Sequence, residues 1–247
     1  KLVADWGKYN LDTRDAVFYY NVKMRSTDRL IVTDTLYYDT RKSMAHVVGP
    51  GSRITSKESV VKTTDAYYNT KTDRAMLYGR STLEDKQKSL VGDSLYYVKN
   101  GDSYGYGHVV YVDKENKNSL VCDELKYNEK TGAGYATKHA LLKDYSQGKD
   151  TLYAHADSIK IFTFNINTDS VYRKVHCYNK VSIFRADVQA ISDSLVFNSQ
   201  DSCLTMYKDP VVWSDGRQLL GEVIKVYMND STVRFAQVVG QALSVEQ

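Results

Sequence analysis

The sequence predicts an all-β fold, an elongated antiparallel sheet of about 15 or 16 strands built from repeats of about thirty residues and folded over on itself. Three observations predict it. A short phrase recurs along the chain: an Asp, two places on an aliphatic or aromatic residue, and two places further a Tyr or another large apolar residue. Copies stand at Asp34-Thr35-Leu36-Tyr37-Tyr38, Asp65-Ala66-Tyr67-Tyr68, Asp93-Ser94-Leu95-Tyr96-Tyr97, Asp123-Glu124-Leu125-Lys126-Tyr127, Asp157-Ser158-Ile159-Lys160-Ile161 and Asp193-Ser194-Leu195-Val196-Phe197, with a looser copy at Glu222-Val223-Ile224-Lys225-Val226. Their first residues are 31, 28, 30, 34, 36 and 29 positions apart, a period at which each unit buries its apolar face against its neighbours. The second observation is alternation within a unit, and the third is the pair of short polar turns that brackets it.

Each element follows from that pattern. Val121, Asp123, Leu125 and Tyr127 alternate with Cys122, Glu124 and Lys126, as in a half-buried strand. Polar turns follow, such as Asp39-Thr40-Arg41-Lys42-Ser43, Asn69-Thr70-Lys71-Thr72-Asp73 and Asn128-Glu129-Lys130-Thr131-Gly132; Asn, Asp and Gly close turns by bonding the local backbone or tolerating positive φ. A second strand comes next, as in Ala75-Met76-Leu77-Tyr78 or Gly107-His108-Val109-Val110-Tyr111, and then another turn such as Asp85-Lys86-Gln87-Lys88. Two strands and two short turns per repeat describe a meander, because short loops join antiparallel neighbours. With 21 Tyr and only two Pro, the composition suits long paired strands, since Pro removes a ladder donor. A single flat sheet would leave both faces wet, so it has to fold over. The segments 143–150 and 165–174 are longer and less regular than the rest. The repeat runs through residues 1–247 as a single domain, read as a mature or trimmed piece that can belong to a longer chain.

The repeated Asp is the exception to the apolar pattern. Alternation places it on the same face as the Leu and Tyr, and a buried carboxylate without partners is costly. It is therefore expected at an edge, a bend or a corner, taking backbone N–H groups. A metal ladder is disfavoured, because one carboxylate per unit beside apolar residues does not supply the clustered oxygens that hard cations need.

Several function classes are excluded or weakened. Lys and Arg number 33 against 30 Asp and Glu, for a net charge of +3 with both signs scattered, which is not the basic stripe of a nucleic-acid surface. Cys122, Cys177 and Cys203 are odd in number and widely spaced, so neither a disulfide framework nor a zinc site is indicated; one bridge is conceivable. No apolar run reaches the roughly 18 residues of a membrane-spanning helix. Gly92-Asp93-Ser94-Leu95 and Gly101-Asp102-Ser103-Tyr104-Gly105 match esterase phrases by letter. The first is a copy of the repeat, and the second falls in a hairpin turn rather than at a strand-to-helix elbow. Gly105 and Gly107 lack the βαβ unit of a phosphate cradle. No catalytic residues, cofactor or metal are expected, and the chain is not read as an enzyme. Asn229-Asp230-Ser231 fits a glycosylation acceptor by letter only.

The repeat from about Ala16 to Val245, clearest in Ala75 to Tyr97, Gly105 to Tyr127 and Ala190 to Phe197, resembles the OstA-like family. That family includes the LptA-type periplasmic domain of lipopolysaccharide export and the amino-terminal domain of its outer-membrane partner. The resemblance implies a folded-over β-jelly roll, a β-taco, whose interior holds lipid acyl chains. It also implies head-to-tail strand addition between similar domains, an outer-membrane assembly protein as partner, and a periplasmic or outer-membrane-associated location. Expected groove residues lie on the Asp-Leu-Tyr face: Val32, Leu36, Tyr38, Tyr67, Val91, Leu95, Tyr97, Val121, Leu125, Tyr127, Ile159, Ile161, Ile191, Leu195 and Phe197. Lys23, Arg25, Arg53 and Lys62 are candidates for the mouth of such a groove, where phosphate head groups would sit. The mechanism would be binding and hand-over of lipopolysaccharide or another lipid, with no chemistry. The competing class is a structural or adhesive solenoid with a filled core.

Overall fold

A computed structural model describes residues 1–146, 150–229 and 232–246. The middle of the segment 143–150 and most of the Asn229-Asp230-Ser231 triplet lie outside the described residues. The chain divides into two compact units, Lys1–Glu115 and Asn116–Gln247. Each is an antiparallel β structure, and the described residues contain no helix.

The first unit comprises β1 (Leu2–Val3), β2 (Trp6–Tyr9), β3 (Asp15–Arg25), β4 (Leu30–Asp39), β5 (Met44–Thr55), β6 (Ser59–Asn69), β7 (Arg74–Asp85), β8 (Lys88–Val98) and β9 (Asp102–Asp113). Consecutive strands from β2 to β9 pair antiparallel, and β1 pairs with the far half of β3. The second unit comprises β10 (Asn118–Asn128), β11 (Ala133–Asp144), β12 (Leu152–Phe164), β13 (Tyr172–Arg185), β14 (Val188–Asn198), β15 (Cys203–Tyr207), β16 (Val211–Ser214), β17 (Arg217–Leu220), β18 (Val223–Asn229), β19 (Thr232–Val239) and β20 (Leu243–Glu246). Here β15 and β16 pair with opposite halves of β14. The ladder continues through β18 and β19 on one half, and through β17 and β20 on the other. The short elements are therefore halves of broken strands: β1 with β2, β15 with β16, β17 with β18, and β19 with β20. Counted that way, each unit has eight strands among the described residues, and the twenty elements reduce to sixteen, within the expected 15 or 16.

The break has a cause visible in every long strand. Pairing slips at one level of the sheet: between Tyr19 and Val22, Val32 and Thr35, Val48 and Ser52, Lys62 and Asp65, Tyr78 and Ser81, and Val91 and Ser94 in the first unit. It recurs between Val121 and Glu124, Thr137 and Ala140, His155 and Ser158, and Tyr178 and Val181 in the second. A β-bulge bends its strand and raises its twist, so bulges aligned in a row crease the sheet within each unit. Alternate strands supply the bend with positive-φ residues, among them Gly49, Gly79, Gly107, Lys138-His139 and Asn179-Lys180.

The backbone groups released at the crease are satisfied from inside by hydroxyls. Thr33 Oγ1 donates to the carbonyl of Val48 at 2.9 Å and contacts Ser52 Oγ at 2.8 Å, while Ser52 Oγ donates to the carbonyl of Gly49 at 2.6 Å. Thr63 Oγ1 donates to the carbonyl of Asp65 at 2.9 Å and contacts Ser81 Oγ at 3.0 Å; Ser81 Oγ donates to the carbonyl of Gly79 at 2.8 Å. Ser52 and Ser81 are fully buried, where an unpaired carbonyl would be expensive.

The crease folds the first unit so that its two half-sheets share a core. Val22, Ile31 and Ile54 come from one half, and Leu36, Val47, Ala66, Tyr68, Leu77 and Leu95 from the other, all in a single buried cluster. Fully burying an aliphatic side chain of this size contributes about 1.5–3 kcal/mol. The outer face carries a cross-strand aromatic row, with Tyr37, His46 and Tyr67 on neighbouring strands and the His46 and Tyr67 rings 4.0 Å apart and nearly parallel.

Gly107 has φ +71, and a Cβ there would clash with the Asp93 carboxylate; Gly51 has φ +77 with open space around it. Both glycines therefore relieve the left-handed penalty of about 1–2 kcal/mol, and Gly107 alone also avoids a clash. Gly107→Ala should lower the urea midpoint clearly more than Gly51→Ala. Equal losses would contradict the crease packing.

Candidate functional site

The inner face of the first unit is the candidate site, because it is an apolar surface enclosed by two half-sheets that no ladder joins at their rims. One rim carries the β3–β4 turn at residues 26–29, and the other carries the β6–β7 turn at residues 70–73. Among the described residues no backbone hydrogen bond crosses from rim to rim. The seam is instead spanned by side chains. Arg29 Nη2 lies 2.8 Å from Asp73 Oδ1, and its guanidinium carbon lies 4.9 Å from the centre of the Tyr68 ring. Tyr68 OH donates to Asp73 Oδ1 at 2.5 Å. Burial first, and then this bond to Asp73, push the Tyr68 phenol above its ordinary value. Lys99 Nζ stands 3.6 Å from Asp73 Oδ2.

The crease decides which predicted residues face inward. Leu36, Leu95, Ile159 and Leu195 are buried, and Tyr38 and Tyr97 pack on the core cluster. Leu125, Ile161 and Phe197 are half-buried on the same alternation. Val32, Val91, Val121 and Ile191 are on the outer face. Their neighbours Ile31 and Thr33, Leu90 and Gly92, Leu120 and Cys122, and Ala190 and Ser192 point inward instead. Simple alternation fails there because the phrase-bearing strand changes face at the crease, opposite a bulge whose extra residue lies on the neighbouring strand, so inward positions lie one and three before the Asp but two and four after it. Tyr67 is also on the outer face, with Ala66 and Tyr68 buried in its place. In that copy Thr64 takes the position that Asp34 holds elsewhere, as the close approach of Gly79 to Thr64 and of Gly49 to Asp34 shows. Tyr127 is exposed at the rim.

The repeated carboxylates stand at the bend, as expected, but on its outer side, and Asp65, Asp93, Asp123 and Asp193 have side-chain partners. Asp93 Oδ2 is 3.0 Å from His108 Nδ1 and its Oδ1 accepts from Arg80 Nη1 at 3.0 Å. The His108 imidazole and then the Arg80 guanidinium hold Asp93 below the usual carboxylate range. Asp123 meets His139 at 3.1 Å, Asp65 meets His46 at 2.8 Å, and Asp193 accepts from Lys208 at 2.8 Å. The turn carboxylates are the ones that take backbone N–H groups, as Asp39 does from Arg41 and Lys42.

Lys23, Arg25 and Arg53 point outward, and Lys62 pairs with Glu84 on the outer surface at 3.6 Å; none of the four lies at the seam. The residues at the seam, Arg29, Asp73 and Lys99, sit in turns outside the repeated phrase, so the repeat gives no signal for them. An open depression of about 610 Å³ bounded by Lys8, Tyr37, Lys42, His46 and Tyr67 lies at the aromatic row. Ser94 pairs with Tyr106 beside the crease, and Ser103 Oγ accepts the backbone N–H of Val98 in a hairpin turn. Among the described residues no cluster of His, Cys, Asp and Glu could hold a metal ion.

All three cysteines are buried and free. Burial and then the charge of Asp123 push the Cys122 thiol up to about 11, and burial pushes Cys177 up to about 12. Raised thiols stabilise the fold fully below their ordinary value near 9.0, and that stability is lost as pH rises through 11 to 12. Cys122 and Cys177 should resist a thiolate-selective reagent at pH 8 in the folded protein and react promptly in urea. Equal rates in both conditions would contradict the burial.

Residues 20–93 match the family described as OstA-like protein. Among solved structures, LptH from Pseudomonas aeruginosa, described as the LptA-homologous periplasmic component of the conserved lipopolysaccharide transport device, aligns at 13% identity and a TM-score of 0.26. That alignment covers 76% of this chain and 94% of LptH. No curated protein matches the chain.

Proposed function

We propose that this protein binds a lipid between its half-sheets and passes it on, as a non-enzymatic part of lipopolysaccharide transport in the periplasm. The observation that carries the reading is the unsealed seam: an apolar interior whose rims meet through side chains rather than a backbone ladder. Such an interior can part without breaking strand pairing. The match of residues 20–93 to the OstA-like family supports lipopolysaccharide or a related lipid as the cargo. In this reading residues 1–247 form one repeat array, and Leu36, Tyr38, Leu95 and Tyr97 line the acyl-chain path in the first unit.

Partners follow from the unpaired edges. β2 carries the exposed Trp6 and Tyr9, while β19 and β20 carry the exposed Val233, Phe235, Leu243 and Val245. Edge strands with apolar side chains add strands from other chains, so similar β-jelly-roll domains and an outer-membrane assembly protein are the proposed neighbours. Concentration-dependent association in sedimentation would accompany that arrangement.

A structural solenoid is favoured by one specific observation, the near-complete burial of the core cluster in the first unit. Chain-length dependence separates the two readings. Transfer of each CH₂ from water contributes about 0.8 kcal/mol, so a dodecyl amphiphile should bind up to about 200-fold tighter than its octyl homologue if the chain enters the interior. Calorimetry on the full chain, with native mass spectrometry for co-purified lipid, reads this directly. Absence of both lipid uptake and chain-length dependence in a folded sample would establish the solid core.

A further inference from the structure

We propose that Arg29, Asp73 and Tyr68 form a latch across the seam of the first unit, opened by an anionic group on an alkyl chain that replaces Asp73 on Arg29. The inference rests on the lipid-binding reading and names the ligand class and the residues that admit it. Its geometric basis is that Arg29 and Asp73 belong to opposite rims. The β6 strand that leads to Asp73 is 11 residues long and would span roughly 36 Å if straight. The 2.8 Å ion pair exists only because the sheet is folded.

The contact sits directly over the apolar interior. Tyr68, which the guanidinium covers, is a member of the core cluster together with Ile31 and Ile54 of the facing half. The Arg29 and Asp73 side chains are 23% and 24% exposed, so the pair is partly desolvated yet within reach of a solute. Two cations converge there, Arg29 at 2.8 Å and Lys99 at 3.6 Å from Asp73, with Asp28 at 3.7 Å from Arg29 as the other acidic neighbour. A phosphate monoester can present two of its oxygens to the planar guanidinium of Arg29, a two-point match like that of a carboxylate. Its alkyl chain would be delivered to the face that the latch covers, and Asp73 would keep the Tyr68 hydroxyl. A ligand shifts an equilibrium only by its differential affinity for the two states; here the anion binds Arg29 only when Asp73 has left it.

The test uses the full chain with dodecyl phosphate, uncharged dodecyl maltoside and inorganic phosphate, read by calorimetry. Wild type should prefer dodecyl phosphate over dodecyl maltoside by about tenfold, and inorganic phosphate alone should neither bind nor compete at equal concentration. Arg29→Gln should reduce the preference below about twofold while binding dodecyl maltoside at least as tightly as wild type. In Arg29→Cys/Asp73→Cys, a short bismaleimide bridge between the new thiols should abolish uptake of dodecyl maltoside that the unbridged variant retains. Uptake of both amphiphiles without preference, a preference that survives Arg29→Gln, full competition by inorganic phosphate, or unimpaired uptake by the bridged protein would overturn the latch and leave the groove standing. Uptake of neither amphiphile by wild type and Arg29→Gln alike would overturn both.

Discussion

Each of the two units depends on bulges aligned in a row, carried by alternate strands such as β3, β5, β7 and β9 in the first unit. A bulge bends a strand locally; a row of them turns a flat sheet into two facing halves, and the facing halves create the core. The row survives because both of its surfaces are provided for. Inside, Thr33, Ser52, Thr63 and Ser81 bond the carbonyls that the slip in pairing releases. Outside, carboxylates such as Asp93 and Asp123 hold histidines on the next strand. The repeated phrase is therefore a crease marker: Asp at the bend, then apolar residues that resume the inward face.

The same constraint shapes function. Folding a sheet over a crease closes one side covalently and leaves the other to side chains, so the interior is enclosed without being sealed. In the first unit the Arg29–Asp73 ion pair and the Tyr68 ring beneath it span the seam. Ion pairs exchange with solutes far more readily than strand ladders do. An interior of this kind suits a cargo that enters by its chain and is held by its head, as the proposed lipid would be.

The sequence made the architecture legible because repeats multiply a weak signal. Six recurring phrases, five of them in register, count the strands, place the turns and identify Leu36, Leu95, Ile159 and Leu195 as inward. The same alternation misplaces Val32, Val91, Val121 and Ile191, because the strand changes face at the crease and the adjacent apolar pairs Ile31-Val32, Leu90-Val91, Leu120-Val121 and Ala190-Ile191 mask the shift. Tyr67 fails for a related reason: its Asp is displaced by one residue from the crease, which Thr64 occupies. The seam residues were not legible at all. Arg29 and Asp73 are 44 positions apart in turns of ordinary composition, and only the folded geometry brings them together.

The central claim, that the crease brings opposite rims of the first unit together, is open to a distance measurement. Nitroxide labels at Asp28→Cys and Lys71→Cys would sit on the turns beside Arg29 and Asp73, while the native thiols are buried. Pulsed electron spin resonance on the lipid-free protein should give a separation clearly shorter than the roughly 36 Å of a straight strand of that length. A separation of that size or more would contradict the folded-over sheet.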